Sequence, residues 1–185
     1  MTKADAASAA TVQLLGLLKK SSNAASFSLG IICFAEIVEP RLYPQYVLGL
    51  AEERLDFTPF PKNATCRYTY IAKALDEAER MAEGFLNSKD ASSPIPRTVR
   101  ILLVSDGYAT DAEEAKKSAE RIKNRFGETL RINTTIFGRS EEEEYQLAEQ
   151  LLKDLASTDE KGQLCYERTP SAAALRAFLE RTSSN

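Results

Sequence analysis

Amphipathic segments alternate with short apolar runs along the whole chain. Residues 4–20 place Val12, Leu15 and Leu18 on one face at helical spacing and end in two lysines, which suit a helix C-terminus. The same spacing predicts a helix over residues 69–86. Three further segments have the composition of helices: residues 111–127, 140–157 and 171–181.

Strands are predicted between these helices. Residues 27–38 and 99–107 are nearly continuous apolar runs, which are typical of strands covered on both faces, and Pro40 is expected to end the first. Residues 53–60 alternate weakly before two prolines and fit an edge strand. Two shorter strands are predicted at residues 131–138 and 163–167.

This alternation predicts an α/β fold: a three-layer, Rossmann-like, mostly parallel sheet with helices on both faces. At 185 residues, the chain is expected to form one domain over residues 1–185. Ligands of such sheets bind beyond the carboxyl ends of the strands. Three loops are therefore candidate sites: the segment after Val38, residues 65–69 and residues 105–111.

Composition and net charge argue against several classes of function. The chain has no histidine, which excludes Ser-His-Asp and Cys-His catalysis and the common zinc sites. The net charge of −3, without a basic cluster, argues against nucleic acid as a partner. No apolar run reaches the ~18–20 residues that span a bilayer, so we expect a cytoplasmic protein without membrane contact. Cys33, Cys66 and Cys165 are expected to be free thiols.

One turn carries most of the candidate chemistry. The segment ILLVSDGYATD places Asp106 directly after a buried strand, followed by Gly107, Thr110 and Asp111. A carboxylate at this position can reach a hard cation or a ligand while the strand holds it in place. The pattern fits equally an ordinary turn in which Asp111 caps the next helix.

Several segments, in the same order along the chain, resemble von Willebrand factor A (vWA) domains. ILLVSDGYATD resembles the family's fourth strand, TYIAKALDEA its threonine loop with the following helix, and LGIICFAEIV its second strand. RINTTIFG, LKDLAST and GQLCYE resemble the fifth strand, a helix and the sixth strand. The resemblance covers roughly residues 5–182, and its ending pattern is most similar to bacterial cytoplasmic TerY-like proteins, which are associated with tellurite resistance.

The resemblance implies a non-enzymatic module that binds a protein partner. In this family, the metal-ion-dependent adhesion site (MIDAS) holds Mg²⁺ or Mn²⁺ with a D-x-S-x-S loop after the first strand, a threonine and an aspartate. By position, Thr69 and Asp106 are the threonine and aspartate ligands in this chain. An acidic residue of the partner then completes the coordination of the metal.

Two features depart from the family's pattern. The central first strand and its D-x-S-x-S loop have no counterpart, because Asp5 and Ser8 have the wrong spacing. Arg67 and Tyr68 replace the glycines that usually precede the loop threonine. We therefore predict an incomplete or degenerate metal site. Three explanations remain open: an N-terminally truncated chain, a degenerate and rearranged domain, or a domain completed by a strand of another chain.

Two other functions stay open at this point. The chain could be an assembly or structural subunit whose open sheet edge is completed by a partner strand. It could also be a magnesium-dependent phosphoryl-transfer or receiver-like protein that uses Asp106. The sequence lacks a G-x-x-x-x-G-K-S/T loop and an acidic cluster near the first strand, which favours the binding module over this enzyme.

Tyrosines concentrate near the predicted loops: Tyr43, Tyr46, Tyr68, Tyr70 and Tyr108. One interpretation is an interaction rim at one end of the sheet, since tyrosine is enriched in protein interfaces. The other is ordinary amphipathic packing. The sequence alone leaves both interpretations open.

Overall fold

In the computed structural model, the described residues are 3–51, 58, 60–65, 67–88, 96–138 and 143–184. Within these ranges the chain forms five α-helices and five β-strands. The helices are α1 (Lys3–Lys20), α2 (Ile71–Asn87), α3 (Ala112–Phe126), α4 (Glu143–Leu155) and α5 (Ala172–Ser184). The strands are β1 (Ser28–Phe34), β2 (Val38–Tyr46), β3 (Val99–Ser105), β4 (Leu130–Phe137) and β5 (Tyr166–Thr169).

The strands form two groups. The first is a parallel sheet with the order β3-β4-β5, and the second is an antiparallel pair of β1 and β2. No β-ladder joins β1 to β3 in the described part of the chain. The structure thus confirms the predicted α/β class with its parallel sheet and helices. The missing central strand and the single-domain assignment of residues 1–185 stay predictions.

Helices cover both faces of the parallel sheet. Ile132 and Ile136 of β4 pack into a core formed with α2, α3 and α4. Phe137 of β4 packs in a second cluster with Leu14 of α1 and Phe178 of α5. Successive side chains of a strand point to opposite faces, so β4 is buried on both sides, as the three-layer prediction requires.

The first two strands differ from the prediction. Pro40 does not end the strand region, because the chain turns at residues 35–37 and Pro40 lies within β2, opposite Ile32. Proline is tolerated there because β2 lies at the edge of its sheet. β1 is therefore paired on one side only in the described chain, and is not the central strand that its apolar run predicts. The edge strand predicted at residues 53–60 lies mostly outside the described residues.

Two further details bear on the sequence predictions. β5 begins at Tyr166 and not at Gln163, because the preceding residues form a turn closed by a bridge between Thr158 and Leu164. Cys33 and Cys165 carry free thiols, as predicted, whereas Cys66 lies outside the described residues.

Asp111 links the beginnings of two helices. Its carbonyl oxygen accepts the N–H of Ala115 at 2.8 Å in the first turn of α3. Its carboxylate instead accepts the N–H groups of Ile71 at 2.8 Å and Ala72 at 2.9 Å, at the start of α2. Asp111 thus lies at the N-cap position of α3, as one of the two interpretations expected, but its side chain makes no bond to α3 and caps α2 instead. A carboxylate there satisfies free helix donors and interacts favourably with the helix dipole.

A buried carboxylate holds α2 against α3. Glu79 of α2 accepts hydrogen bonds from Arg121 Nε at 3.0 Å, Arg121 Nη2 at 2.7 Å and Arg125 Nη1 at 3.0 Å. Burial raises the pKa of Glu79, but the two guanidinium groups outweigh burial and hold this pKa below its ordinary value. Glu79 is therefore ionised and paired, which is what a nearly buried carboxylate requires.

A second buried carboxylate joins α4 to β5. Glu149 accepts a hydrogen bond from Arg168 Nε at 2.8 Å and forms an ion pair with Lys153 at 2.9 Å. The hydrogen bonds from Arg168 lower the pKa of Glu149 to about 2 although burial acts in the opposite direction. This pair fixes the short terminal strand of the sheet against its helix.

We predict that Asp111→Ala lowers the free energy of unfolding by about 1–2 kcal/mol, because α2 loses its cap. Asp111→Asn should cost less, since asparagine also accepts N–H groups at a helix start. Urea unfolding followed by circular dichroism measures both. The matched control is Glu114→Ala in the exposed first turn of α3, with an expected change under about 0.5 kcal/mol. Equal effects of Asp111→Ala and Glu114→Ala would contradict the cap.

The lowered pKa of Glu149 predicts a specific pH dependence. Its stabilising contribution is present above the ordinary value of 4.5 and is lost as the pH falls towards about 2. Glu149→Gln should therefore cost roughly 1–3 kcal/mol at neutral pH, and this cost should shrink between about pH 5 and pH 2. Urea unfolding of both proteins across this range measures the difference. A cost that stays constant with pH would argue against the ion pair.

Candidate functional site

The loops after β1 and β3 and the start of α2 meet at one edge of the molecule. The N–H of Tyr70 donates to the carbonyl of Ala35 at 3.0 Å, and the N–H of Thr110 donates to the carbonyl of Thr69 at 2.8 Å. Ala35 follows β1 and Thr110 follows β3, so both strands have their carboxyl ends here. We call this region the carboxyl edge, and it is where ligands of α/β sheets usually bind.

Asp106 lies at the carboxyl edge, directly after β3. Its side chain is 52% exposed, and Lys3 Nζ of α1 lies 3.3 Å from its Oδ2. Lys3 also passes close to Gly138, after β4, where a Cβ would lie 3.0 Å from Lys3 Cε. Gly138 has a φ of 115°, which strongly favours glycine. The ammonium group of Lys3 is thus the cation beside Asp106 in this structure.

Thr69 is half-buried on the neighbouring loop. Its N–H donates to Thr110 Oγ1 at 3.2 Å, and its carbonyl accepts the N–H of Thr110. These two bonds attach the Thr69 loop to the loop that carries Asp106, and they run through Thr110. The structure therefore brings the two predicted ligands to the same edge. Their role as metal ligands stays a prediction.

The donor set at this edge is incomplete for magnesium. Mg²⁺ takes six oxygen ligands, whereas Asp106 and Thr69 offer one carboxylate and one hydroxyl. The ammonium group of Lys3 occupies one side of that carboxylate. Across the described ranges, the structure contains no group of three or more His, Cys, Asp and Glu side chains placed to hold a metal ion. The described residues do not by themselves supply a full set of magnesium ligands at this edge.

Aromatic and basic side chains lie on the loops and the helix start that meet at the carboxyl edge. Tyr68 and Tyr108 are 53% and 52% exposed. The rings of Tyr68 and Tyr70 lie 6.4 Å apart, and Lys73 Nζ lies 4.2 Å from the centre of the Tyr70 ring. We define the carboxyl-edge surface by these residues and the ion pair: Lys3, Tyr68, Tyr70, Lys73, Asp106 and Tyr108.

The predicted rim of five tyrosines is wrong for two of them. Tyr46 pairs with Ser28 at the amino end of β1, which is the opposite end of that strand. Tyr43 lies on β2, where its hydroxyl accepts a hydrogen bond from Arg80 Nη2 at 3.1 Å. The prediction failed because residues 38–46 form a strand rather than a loop.

Sequence reasoning missed Lys3 and the role of Thr110. Lys3 is the first residue of a helix and carries no motif, and its contact with Asp106 depends on how α1 packs across the sheet. Thr110 belongs to the quoted motif, but its two bonds to Thr69 join residues 41 positions apart. Neither contact has a signal in local sequence.

In the described part of the chain, no helix combines the length and apolar character that crossing a bilayer requires.

The comparisons with known proteins agree with this architecture. No protein-family model and no curated protein matches the chain. Among solved structures, proximal thread matrix protein 1 (PTMP1) from the mussel byssus matches in crystal form 2, with 13% identity and a TM-score of 0.59. A second PTMP1 structure, described as having a zinc-occupied MIDAS motif, matches with 12% identity and a TM-score of 0.60.

Each match covers 96% of this chain but 42% of the PTMP1 chain, so the chain spans less than half of that protein. At this identity, the likeness concerns the fold alone. Similarity to TerY-like proteins stays a prediction. The chain has a vWA-like α/β fold.

Proposed function

We propose that this chain is a non-enzymatic interaction module of vWA type that binds a protein partner through the carboxyl-edge surface. The observation that carries the proposal is the meeting of Asp106, Thr69 and Lys3 at the edge where sheets of this class bind ligands. The vWA-like fold supports it at a coarse level. The MIDAS motif named for one PTMP1 structure gives a precedent on a similar fold.

The carboxyl-edge surface has the chemistry of a protein interface. Tyr68 and Tyr108 offer exposed aromatic area, and such side chains often dominate binding energy. Lys3, beside Asp106, and Lys73, over the ring of Tyr70, supply positive charge on the same surface. A partner that presents a carboxylate would therefore be attracted to this surface. The proposed partner is a protein segment with an acidic residue.

The proposal includes an incomplete MIDAS formed by Asp106 and Thr69. A divalent ion such as Mg²⁺ or Mn²⁺ would gain one carboxylate and one hydroxyl, and water and the partner's acidic residue would have to supply the other ligands. The ammonium group of Lys3 now pairs with Asp106 and would compete with the ion. An exposed ion pair of this kind contributes at most about 1 kcal/mol, so an ion can displace it.

The enzymatic alternative has weaker support. A receiver-like or phosphoryl-transfer site needs magnesium beside the acceptor carboxylate. In the described residues the charged partner of Asp106 is the Lys3 ammonium, and no cluster of acidic side chains surrounds it. These contacts favour the binding module.

Competition between Lys3 and a metal ion gives the first test. With Mn²⁺ at about ten times its dissociation constant, binding adds roughly 1.4 kcal/mol to stability and raises the melting temperature by about 3 °C or more. We expect a larger shift in Lys3→Gln than in the wild type, and none in Asp106→Asn, relative to EDTA. Lys20→Gln, at the other end of α1, is the matched control and should behave as the wild type. An equal Mn²⁺ shift with and without Asp106 would exclude it as a ligand.

Selection from a displayed library of random peptides tests the protein-binding role. We expect selected peptides to be enriched in Asp and Glu. Tyr108→Ala should weaken their binding about tenfold, which corresponds to about 1.4 kcal/mol for an interface aromatic residue.

Tyr43→Ala is the matched control, because this tyrosine is equally exposed, at 53%, but lies on β2 away from the carboxyl edge. Fluorescence anisotropy measures each affinity. The proposal fails if the selected peptides show no acidic preference, or if Tyr43→Ala weakens binding as much as Tyr108→Ala.

A further inference from the structure

A groove of about 610 Å³ runs between β1 and β3, away from the carboxyl-edge surface. Ile32 of β1 and Ile101 of β3 lie on its two sides. Helix α2 covers one face with apolar side chains, and α1 contributes Leu14 and Leu18. The α2 residues that line it are Ala74, Leu75, Ala78, Met81, Ala82 and Phe85.

Both long sides of the groove are strand edges. β1 pairs with β2 on its far side, and β3 pairs with β4 on its far side. No ladder occupies the facing sides of β1 and β3 in the ranges that the structure describes. The two strands also run in the same direction, since Ala35 and Thr110 after them meet at the carboxyl edge through residues 69 and 70. The groove thus presents backbone donors and acceptors on two parallel sides.

Contacts within the chain hold the two sides in place. The Tyr70–Ala35 and Thr110–Thr69 hydrogen bonds connect them at the carboxyl edge. Helix α2 packs on both, because Leu75 belongs to the core with β3 and β4, while a Cβ at Gly30 of β1 would lie 2.8 Å from Met81 Cε. These contacts preform the groove, which lowers the ordering cost of binding a segment there.

The size of the groove matches one strand. A strand residue occupies roughly 160 Å³, since strands lie about 4.8 Å apart, rise about 3.3 Å per residue and form a layer about 10 Å thick. The groove volume of about 610 Å³ corresponds to about four such residues, or roughly 13 Å of extended chain. A helix would not pair with these edges, because its backbone hydrogen bonds are made within the helix.

The lining specifies the chemistry of the occupant. Apolar side chains of α2 and of α1 cover it from opposite faces, and strands covered on both faces are continuous apolar runs. Arg100 of β3 and the preceding Arg97, which also donates to the carbonyl of Phe85 at 2.7 Å, line the amino end of the groove. A short uncharged run with an acidic residue next to this end complements both features.

We propose that this groove accepts a β-strand donated by a partner protein, which pairs with β1 and β3 at once. The donated segment has about four aliphatic residues in its centre and an acidic residue beside Arg100. The mode is strand addition, here into the middle of a divided sheet. It does not depend on the carboxyl-edge surface, and the two proposals can therefore fail separately.

The test uses the whole chain and fluorescein-labelled peptides with a central Val-Ile-Val-Ile run. One peptide has a glutamate before the run, one has a lysine there, and a third has the glutamate with two central prolines. Proline removes ladder hydrogen bonds, so it should weaken binding about tenfold. Anisotropy measures affinity, and hydrogen exchange should slow for amides of β1 and β3. Asp106→Asn should leave peptide binding unchanged.

Two variants address the groove itself. Ile32→Lys should weaken binding about tenfold or more, because it places a charge where an apolar strand docks. Ile37→Lys, exposed in the β1–β2 turn, is the matched control. Arg100→Glu should reverse the preference between the glutamate and lysine peptides, a result that mere loss of folding does not give.

Several results would overturn the proposal. One is the absence of saturable binding for all three peptides. Another is equal affinity for the glutamate peptides with and without prolines. A third is an equal loss of peptide affinity in Ile32→Lys and Ile37→Lys. Protection confined to amides outside β1 and β3 would also overturn it, as would an unchanged charge preference in Arg100→Glu.

Discussion

The structure depends on a short series of hydrogen bonds at the carboxyl edge. Tyr70 bonds to Ala35, Thr69 bonds twice to Thr110, and Asp111 caps the first turn of α2. With no ladder between β1 and β3 in the described residues, these bonds provide the polar connection between the two strand groups at this edge. The same bonds position the loop of Asp106, so the stability of the fold and the geometry of the candidate site have one origin.

The candidate site and the groove follow from the same divided sheet. In the described residues, no ladder pairs the facing edges of β1 and β3 across the gap, and open edges are regions that proteins usually cover. In the described residues, no strand between β1 and β3 contributes side chains beside Asp106. Lys3 reaches this position from α1 and neutralises the carboxylate. The proposed incomplete site and the proposed strand-binding groove therefore share one architectural feature, the gap between β1 and β3.

Sequence predicted the elements whose signals are local. The helical spacing of α2 and the apolar run of β3 were sufficient, because both elements pack one or two continuous apolar faces into the core. β2 was missed because its two prolines suggest a break, while their tolerance depends on edge pairing, which is a tertiary property. The position of Asp106 at the carboxyl edge was predictable from strand order. The partners of Asp111 and Lys3 were not, since both come from distant segments.

The cap on α2 has a mechanical consequence. Two bonds from one carboxylate attach the loop after β3 to the first turn of a 17-residue helix. Such a helix is about 25 Å long. A tilt of about 3° at its capped end therefore displaces its far end by about 1 Å. That end carries Phe85, which lies beside Arg97. Small shifts at the carboxyl edge are thus magnified at the opposite end of the molecule.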